Sequence, residues 1–383
     1  MASFDLNRIK YSLKGAINMD LKSKVFKVMS TRVWRTYFGG KEIEKWQGIE
    51  NPSDGELPEE WIASTVMARN PGREHIDKEG LSRVFIEGNE NATLKDIIAS
   101  DPIGFLGEEH YNKYGSSMAF LAKIIDSLNR LTIQVHPTKE FARNFLKSEY
   151  GKTEAWYILG GRKVDGEDPY VLLGFKPGIT REKWKQLFEA QDIQGMFNAL
   201  HKVYIKPGEL FFIPGGLPHA IGSGCFLIEI QEPTDYTMRV ERTTPEGRQI
   251  TDFLCHQGVG FDKMLDCFNY EGYTKEQVLE KLSILPQQIA KNENSSEDIL
   301  IGPSQTELFS MNRLSIGENY DNYVGNSFCT AIVYSGKGRI EYVNESIEIK
   351  QGDFLFIPAG VDRVKWINDE ADNMEIIECF PPK

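Results

Sequence analysis

The chain has 383 residues, of which 40% are hydrophobic and 26% charged, so it can build the buried core of one to three globular domains. This composition excludes wholesale disorder and a fibrous repeat. With 44 basic and 56 acidic residues, the formal net charge is −12. Such a charge argues against nucleic-acid or membrane partners, and an anionic ligand would need a local basic site.

We expect neither a targeting segment nor a membrane span. The first thirty residues contain several Lys and Arg without a long apolar stretch, and no later run has the length of a membrane helix. The odd number of cysteines and the lack of CxxC spacing suit free thiols in a reducing compartment, so a cytoplasmic location is expected. The cysteines are Cys225, Cys255, Cys267, Cys329 and Cys379.

The first 200 residues mix predicted strands and helices. Loosely alternating apolar residues predict strands over 32–38 and 132–136. Between them, apolar residues at helical spacing predict a helix over about 117–129, and a further helical segment is predicted over 181–200. The residues that carry the first helical spacing are Leu121, Ile124, Ile125 and Leu128.

The remainder of the chain is predicted to contain more strands than helices. From 203 to 241, short apolar runs are separated by Gly and Pro, a pattern typical of a β-barrel or sandwich. Residues 252–290 have a mainly helical pattern, 292–297 look like a polar linker, and strands return from about 307. The predicted fold class is therefore mainly β with helical insertions.

One segment of the sequence occurs twice. Residues 206–216 (KPGELFFIPGG) match residues 350–360 (KQGDFLFIPAG), and the shared residues are Lys, Gly, Phe, Ile, Pro and Gly. The repeat predicts that the same small β-barrel is built twice. Three residues after the last Gly, the first copy has His219 and the second has Arg363.

The first copy resembles the second motif of the cupin superfamily. The motif is Gly, five residues, Pro-x-Gly, two residues and His, and it is matched by Gly208, Pro214, Gly216 and His219. Two glycines and a proline make a tight turn that delivers the histidine to the mouth of a barrel. The resemblance implies two cupin-type β-barrels, or jelly rolls, of which the second lacks metal ligands.

Three predicted parts follow from this organisation. Residues 1–250 form a metal-binding domain with helical insertions at about 90–130 and 178–200. Residues 251–300 form a helical connector, and residues 301–383 form the degenerate C-terminal barrel.

A candidate metal site combines His219 with upstream residues. Side chains alternate along a strand, so Gln134 and His136 face the same way, and Glu154 follows eighteen residues after His136. Two imidazoles and two oxygen ligands suit one divalent ion, first of all Zn²⁺, with iron, manganese or cobalt as alternatives. In the competing interpretation, the histidines are packing residues, Glu154 lies in an exposed loop and Gln134 only supports the ligands.

Three segments in order resemble type I mannose-6-phosphate isomerases, also called phosphomannose isomerases. The segments are 131–137 (LTIQVHP), 151–157 (GKTEAWY) and 212–220 (FIPGGLPHA). The resemblance extends over about 131–239 and weakly to 34–40. It implies a cupin enzyme with zinc held by Gln, His, Glu and His that interconverts mannose 6-phosphate and fructose 6-phosphate.

The resemblance also points to catalytic residues. The family places an Arg ten residues after a Glu, with an Asp four residues before the Arg, and Glu229, Asp235 and Arg239 fit this spacing. The resemblance implies that Arg239 stabilises the enediolate. Isomerisation through an enediol also needs a base, for which Glu229, Lys152 and Asp235 all remain candidates. The alternatives are a structural Glu229–Arg239 ion pair and a surface position for Lys152.

The candidate substrate-binding residues are Thr132, Lys152, Arg239 and Arg242. Thr132 shares the strand face of Gln134 and stands where many family members have Ser. Longer family members carry a Lys shortly after the Arg, thought to meet the phosphate, and Arg242 or Arg248 would replace it here.

The predicted function is that of a zinc-dependent isomerase whose partner is a small sugar phosphate, and the sequence leaves the oligomeric state open. One alternative is an isomerase or epimerase of another sugar. The other is a metal-containing sugar-binding cupin without catalysis, which the presence of a full set of acid–base residues disfavours.

Overall fold

The computed structural model describes residues 21–86 and 92–383. Its strands outnumber its helices and form four sheets, so the predicted mainly β fold with helical insertions is confirmed. Residues 1–20 of the first predicted domain, and residues 90 and 91 of its predicted insertion, lie outside the described residues. Within the described ranges, no helix is long and apolar enough to cross a membrane.

The strands are numbered in chain order. Those of the first part are β1 Phe26–Val28, β2 Arg32–Val33, β3 Glu59–Ile62, β4 Leu121–Asp126, β5 Gln134–Val135, β6 Glu154–Gly161, β7 Tyr170–Phe175, β8 Leu200–Tyr204, β9 Leu210–Ile213, β10 His219–Ile221, β11 Cys225–Gln231 and β12 Met238–Arg239. Those of the second part are β13 Ser283–Ile284, β14 Gln287–Lys291, β15 Ser295–Ile301, β16 Ser310–Ile316, β17 Asn319–Tyr323, β18 Cys329–Ser335, β19 Lys337–Tyr342, β20 Glu345–Lys350, β21 Phe354–Ile357, β22 Arg363–Asn368 and β23 Met374–Phe380.

The helices are short and most have a side-chain N-cap. Thr180 caps the helix Arg181–Ala190, and Thr274 forms a capping box with Gln277 at the start of Lys275–Leu282. The other α-helices are Lys41–Trp46, Leu94–Ser100, Pro102–Leu106, Glu108–Tyr114, Lys139–Phe141, Ile193–Asn198, Asp252–His256 and Phe261–Leu265, with a 3₁₀ turn at Leu21–Ser23 and a π turn at Ala142–Leu146.

The first pair of sheets holds the segments that resemble a catalytic domain. A seven-stranded sheet has the order β13-β9-β6-β11-β4-β3-β2, and a five-stranded sheet has the order β12-β5-β10-β7-β8. Trp156, Leu173, Ile213 and Leu227 are buried in one apolar cluster that includes residues of both sheets. This packing fixes the two sheets relative to each other and so positions the side chains at their edge.

The C-terminal pair of sheets has the same strand sequence. Its larger sheet has the order β1-β21-β18-β23-β16-β15-β14 and its smaller sheet β17-β22-β19-β20. Strand by strand, β14–β23 therefore occupy the places of β2–β11. The repeated segments become β9 and β21, each preceded by a glycine with positive φ, Gly208 at 88° and Gly352 at 92°.

The start of the described chain joins the two parts. Strand β1 pairs with β21, with Phe26 opposite Phe356, although β1 lies nearly the whole chain length away in sequence. Trp46 also donates a 2.7 Å hydrogen bond from Nε1 to the Tyr334 carbonyl. The C-terminal sheet is thus completed by residues that precede the first pair of sheets.

The helix predicted over 117–129 is wrong, because residues 121–126 form β4. Every residue of β4 is buried, so the strand lacks the alternation of apolar and polar residues that identifies a half-exposed strand. A mostly apolar run also satisfies helical spacing, and the length of this run did not distinguish a strand from a helix.

The segment after residue 251 is helical for a shorter distance than predicted. Helices end at Leu282, and β13, β14 and β15 then occupy most of 283–301. The predicted polar linker over 292–297 is a hairpin turn followed by the start of β15, and strands return before 307. The boundaries of the three predicted parts stay a prediction.

Candidate metal centre and catalytic cleft

A tight turn brings the two candidate metal-binding histidines together. Gly216 has a φ of 88° and donates a 2.8 Å backbone hydrogen bond to the carbonyl of His136. A side chain on Gly215 would come within 2.9 Å of the Pro137 carbonyl, so the turn packs on the segment that follows β5. His219 then starts β10, directly opposite Gln134 of β5.

The predicted ligands lie together and are buried. His136, Glu154 and His219 form a group whose ligand atoms all lie within 4.8 Å of one another. Nε2 of His136 is 3.2 Å from Oε2 of Glu154, and Nε2 of His219 is 3.5 Å from Oε1. The side-chain amide of Gln134 lies 3.3 Å from Nε2 of His219.

Both histidines point an unprotonated Nε2 at this group. Nδ1 of His136 donates to the Tyr236 carbonyl and Nδ1 of His219 donates to the Leu217 carbonyl, each at 2.9 Å. Burial lowers the pKa of both imidazoles, so they are neutral near pH 7. A neutral imidazole whose other nitrogen is held by a carbonyl is the form that binds a metal ion.

The donor set fits a divalent cation. Zinc–ligand bonds of about 2.0–2.1 Å in a tetrahedron place neighbouring ligand atoms about 3.3–3.4 Å apart, close to the 3.2 and 3.5 Å that separate the two histidines from Glu154. Oε2 of Glu154 is buried and accepts no hydrogen bond from the described residues, although Nζ of Lys152 lies 3.4 Å away. A buried carboxylate oxygen that accepts no hydrogen bond is costly, and direct binding of a cation would compensate it.

A polar cleft opens beside the ligands and contains most of the predicted site residues. Gln134, Lys152, Glu229, Asp235 and Arg239 line it together with Thr132. The sequence interpretation did not include several further lining residues, which are Arg35, Tyr37, Glu59, Lys123 and Arg130.

Lys123 and Glu229 belong to one row of side chains across the larger sheet. Glu229 stands opposite Lys123 on one side and Trp156 on the other, and Lys123 stands opposite Trp61. Nζ of Lys123 is 3.1 Å from Glu229 and 3.7 Å from Glu59, and these carboxylates raise the pKa of the buried lysine. Glu229 is thus paired with Lys123 rather than with Arg239.

Asp235 is held by a residue near the start of the chain. Two nitrogens of Arg35 each approach Asp235 at 3.1 Å, and Nε of Arg35 is 2.9 Å from Glu59. Despite burial, Arg35 lowers the pKa of Asp235, so this carboxylate is a weak proton acceptor.

Arg239 lines the cleft on the strand next to Gln134. It stands opposite Gln134 between β12 and β5, and Nη1 donates to the carbonyls of Thr237 at 3.3 Å and Leu254 at 2.9 Å. Within residues 21–86 and 92–383, it forms no ion pair with a carboxylate. The other cations of the cleft all lie close to one, so Arg239 is the one with positive charge available for an anion.

The remaining predicted residues are placed differently. Lys152 is buried, with Nζ 3.0 Å from Nε2 of His136 and 3.4 Å from Glu154, so it is not a surface lysine. Arg242 is exposed and lies 4.5 Å from the centre of the Phe261 ring, away from the residues that line the cleft. Arg248 forms an ion pair with Glu56 outside the cleft.

Comparison with known proteins finds a similarity in the first part of the chain. Residues 27–155 match the family model for the type I phosphomannose isomerase catalytic domain. Over these residues the chain is similar to the type I phosphomannose isomerases. The matched range includes Gln134, His136 and Glu154 of the ligand group and ends before His219.

Relatives named mannose-6-phosphate isomerase align over different lengths of the chain. The Bacillus subtilis protein named probable mannose-6-phosphate isomerase GmuF is 34% identical over 140 residues, which are 36% of this chain and 42% of that protein. Mannose-6-phosphate isomerase ManA from Bacillus subtilis is 27% identical over 287 residues, 72% of this chain and 80% of that protein. The aligned stretch thus spans less than half of GmuF.

Solved phosphomannose isomerase structures share the fold over nearly the whole chain. The mannose 6-phosphate isomerase from Bacillus subtilis superposes with a TM-score of 0.68 at 20% identity, covering 93% of this chain and 99% of that one. A mutant form of the phosphomannose isomerase from Salmonella typhimurium gives 0.68 at 16% identity, covering 94% of this chain and 100% of that one. Because the sequence identities are only 20% and 16%, these structural similarities establish the fold alone.

Proposed function

We propose that the chain is a metal-dependent aldose–ketose isomerase that interconverts mannose 6-phosphate and fructose 6-phosphate. The observation that carries the proposal is the position of Arg239, which stands directly opposite Gln134 and beside the buried His136–Glu154–His219 group. A metal-ligand group next to an uncompensated arginine suits a substrate that develops negative charge on an oxygen. The family match over residues 27–155 supports the same reaction.

We propose one Zn²⁺ per chain, held by Gln134, His136, Glu154 and His219. When bound, the ion would act as a Lewis acid that polarises an oxygen of the sugar. Two neutral imidazoles, one carboxylate and one amide oxygen suit a cation of borderline softness.

Arg239 supplies fixed positive charge to the enediolate. Isomerisation moves a proton between C2 and C1 of the sugar, and the oxygens at these carbons become negatively charged on the way. A guanidinium already positioned by two backbone carbonyls needs little reorganisation when that charge forms. The planar guanidinium can also meet two neighbouring oxygens at once.

Proton transfer is assigned to Lys152 or Glu229. Both line the cleft, and Lys152 also lies within hydrogen-bond distance of His136. Asp235 is less suited, because its pairing with Arg35 lowers its pKa. Asp235 instead fixes the loop between β11 and β12 that precedes Arg239.

The five cysteines are buried and unpaired, which supports the further proposal that the protein works in the reducing cytoplasm. A sugar phosphate of central metabolism would be available there. The only partner that this proposal includes is the small sugar phosphate substrate.

A coupled assay with zinc-replete protein tests the proposed function. Mannose 6-phosphate, free mannose and other phosphorylated and free aldoses would be compared by kcat/KM. We expect mannose 6-phosphate to be the best substrate by at least tenfold. A preference for another sugar would assign a different isomerase or epimerase, and turnover of none of them would favour a sugar-binding protein without catalysis.

A further inference from the structure

The C-terminal sheets contain a second cavity, at the place that corresponds to the catalytic cleft. It has a volume of about 520 Å³, and its walls come from β14–β17 and β23, the counterparts of β2–β5 and β11. We call it the C-terminal cavity. The lining residues used below are His110, Glu297, Ile299, Asn312, Asn322 and Tyr323.

Strand register shows that this cavity cannot bind a metal in the way proposed for the cleft. Arg363 stands opposite Tyr323 between β22 and β17, as His219 stands opposite Gln134 between β10 and β5. Cys329 is likewise opposite Ile357, as Glu154 is opposite Ile213. Three candidate ligands are therefore replaced by tyrosine, cysteine and arginine.

The register also identifies the counterparts of the acidic residues that line the catalytic cleft. Glu378 pairs with Asn312 across β23 and β16, as Glu229 pairs with Lys123 across β11 and β4. A neutral amide thus occupies the position of the lysine. Asn312 donates a 2.7 Å hydrogen bond to Oε1 of Glu297, which itself occupies the place of Glu59.

The C-terminal cavity contains acceptor groups, together with Lys383 and with Lys113, which pairs with Glu109. His110 is 7% exposed, its Nε2 donates to the Ser117 carbonyl at 2.7 Å, and its Nδ1 has no partner among the described residues. Nδ2 of Asn322 donates to both carboxyl oxygens of Glu378, at 2.7 and 2.9 Å, which leaves its carbonyl oxygen as an acceptor. Such a wall calls for a ligand that is rich in hydrogen-bond donors.

We propose that the C-terminal cavity binds an uncharged sugar or polyol. Hydroxyl groups of the ligand donate to the oxygens of Asn322 and Glu297. The Tyr323 ring, 62% exposed, and Ile299 offer apolar surface to the carbon skeleton. Glu109 and Glu297 balance the charges of Lys113 and Lys383 in the wall, so the cavity has no excess positive charge for a phosphate and its ligand differs from the substrate of the cleft. The proposal does not depend on the isomerase activity.

Saturation-transfer NMR on the full chain tests the proposal. Free mannose and sorbitol would be titrated with fructose 6-phosphate present in excess, so that the cleft is occupied. We expect binding in the millimolar range that the sugar phosphate does not displace. Tyr323→Ala and Asn312→Ala should each weaken it by about three- to tenfold.

Tyr204→Ala is the matched control, because Tyr204 is also an exposed tyrosine on a strand, 54% exposed, but lies in the first pair of sheets. It should leave sugar binding unchanged. The proposal is overturned if neither sugar binds, if fructose 6-phosphate displaces them, or if both variants bind as well as the parent. It is also overturned if a polyamine or Ca²⁺ binds and the uncharged compounds do not.

Discussion

Lys123 and Glu229 stand opposite each other on neighbouring strands, with Nζ of the lysine 3.1 Å from Oε1 of the glutamate. Both side chains are almost fully buried, and the lysine also lies 3.7 Å from Glu59. The lysine therefore lies between two carboxylates in the wall of the cleft, of which Glu59 is also paired with Arg35. Buried charges of this kind depend strongly on their partners.

Replacing Lys123 by Met should destabilise the protein by about 3–5 kcal/mol, because the buried Glu229 loses its counter-charge and Glu59 keeps only Arg35. Urea denaturation of both proteins measures this. Lys163→Met is the matched control, since Lys163 is largely exposed and its ion pair with Asp168 should contribute at most about 1 kcal/mol. Equal stability of the Lys123 variant and the parent would show that the pair contributes nothing.

His219→Ala should lose the bound metal while keeping the fold, because the apolar strands and not the ion hold the two sheets together. Metal analysis should give about one equivalent for the parent and close to none for the variant, with unchanged circular dichroism. His75→Ala, at an exposed histidine, should keep its metal. A full equivalent of metal in the His219 variant would contradict the proposed ligand set.

Arg363→Ala should leave metal content unchanged, since Arg363 occupies the position of His219 only in the second pair of sheets. The same metal analysis checks it. A tenfold loss of metal affinity would mean that the C-terminal sheets take part in metal binding.

Arg239→Ala should lower kcat by about a hundred- to a thousandfold, the usual effect of losing an oxyanion-stabilising donor. Arg239→Lys should recover only part of the loss, because a point charge cannot replace the planar guanidinium. Steady-state kinetics separate the effects on kcat and KM. A higher KM with unchanged kcat would assign Arg239 to substrate binding alone.

The stability of the folded protein should depend on pH because of Glu378. Burial and the nearby Glu297 raise the pKa of Glu378 from 4.5 to about 8. The folded protein therefore keeps a proton that the unfolded chain has released, and stability should fall by up to about 1.4 kcal/mol per pH unit between roughly pH 5 and 8. Above pH 8 this decrease should level off.

Glu378→Gln should remove this contribution, so the variant should gain stability over the parent as the pH rises from 5 to 9. Chemical denaturation at each pH measures the difference. Glu348→Gln, at an exposed position of β20, should follow the parent throughout. Parallel pH profiles for the Glu378 variant and the parent would contradict the raised pKa.

The proximity of His136, Glu154 and His219 could be predicted because its signal is local. The Gly and Pro turn before His219 and the alternation of Gln134 and His136 are short-range patterns that hold in any β context. Lys123 was missed for the opposite reason, since β4 is buried on both faces and its apolar run was interpreted as a helix. If β4 had been predicted as a buried strand, its single lysine would have required a buried counter-charge such as Glu229.

Long-range placement could not be derived from the sequence. Arg35 meets Asp235 across 200 positions of chain, and β1 completes a sheet formed by the last quarter of the chain. Strand pairing at such separations depends on the whole topology. The position of Arg242 against Phe261, outside the cleft, depends in the same way on how a helix packs beside β12.

The most direct test of the proposed isomerase is the conversion of fructose 6-phosphate, followed by ¹H NMR with protein that holds one equivalent of Zn²⁺. We predict the appearance of the anomeric signals of mannose 6-phosphate up to an equilibrium mixture, with the rate lost on chelation and restored by Zn²⁺. His219→Ala should stay inactive under the same conditions. Absence of mannose 6-phosphate with zinc-replete protein, or full activity of the His219 variant after chelation, would contradict the proposal.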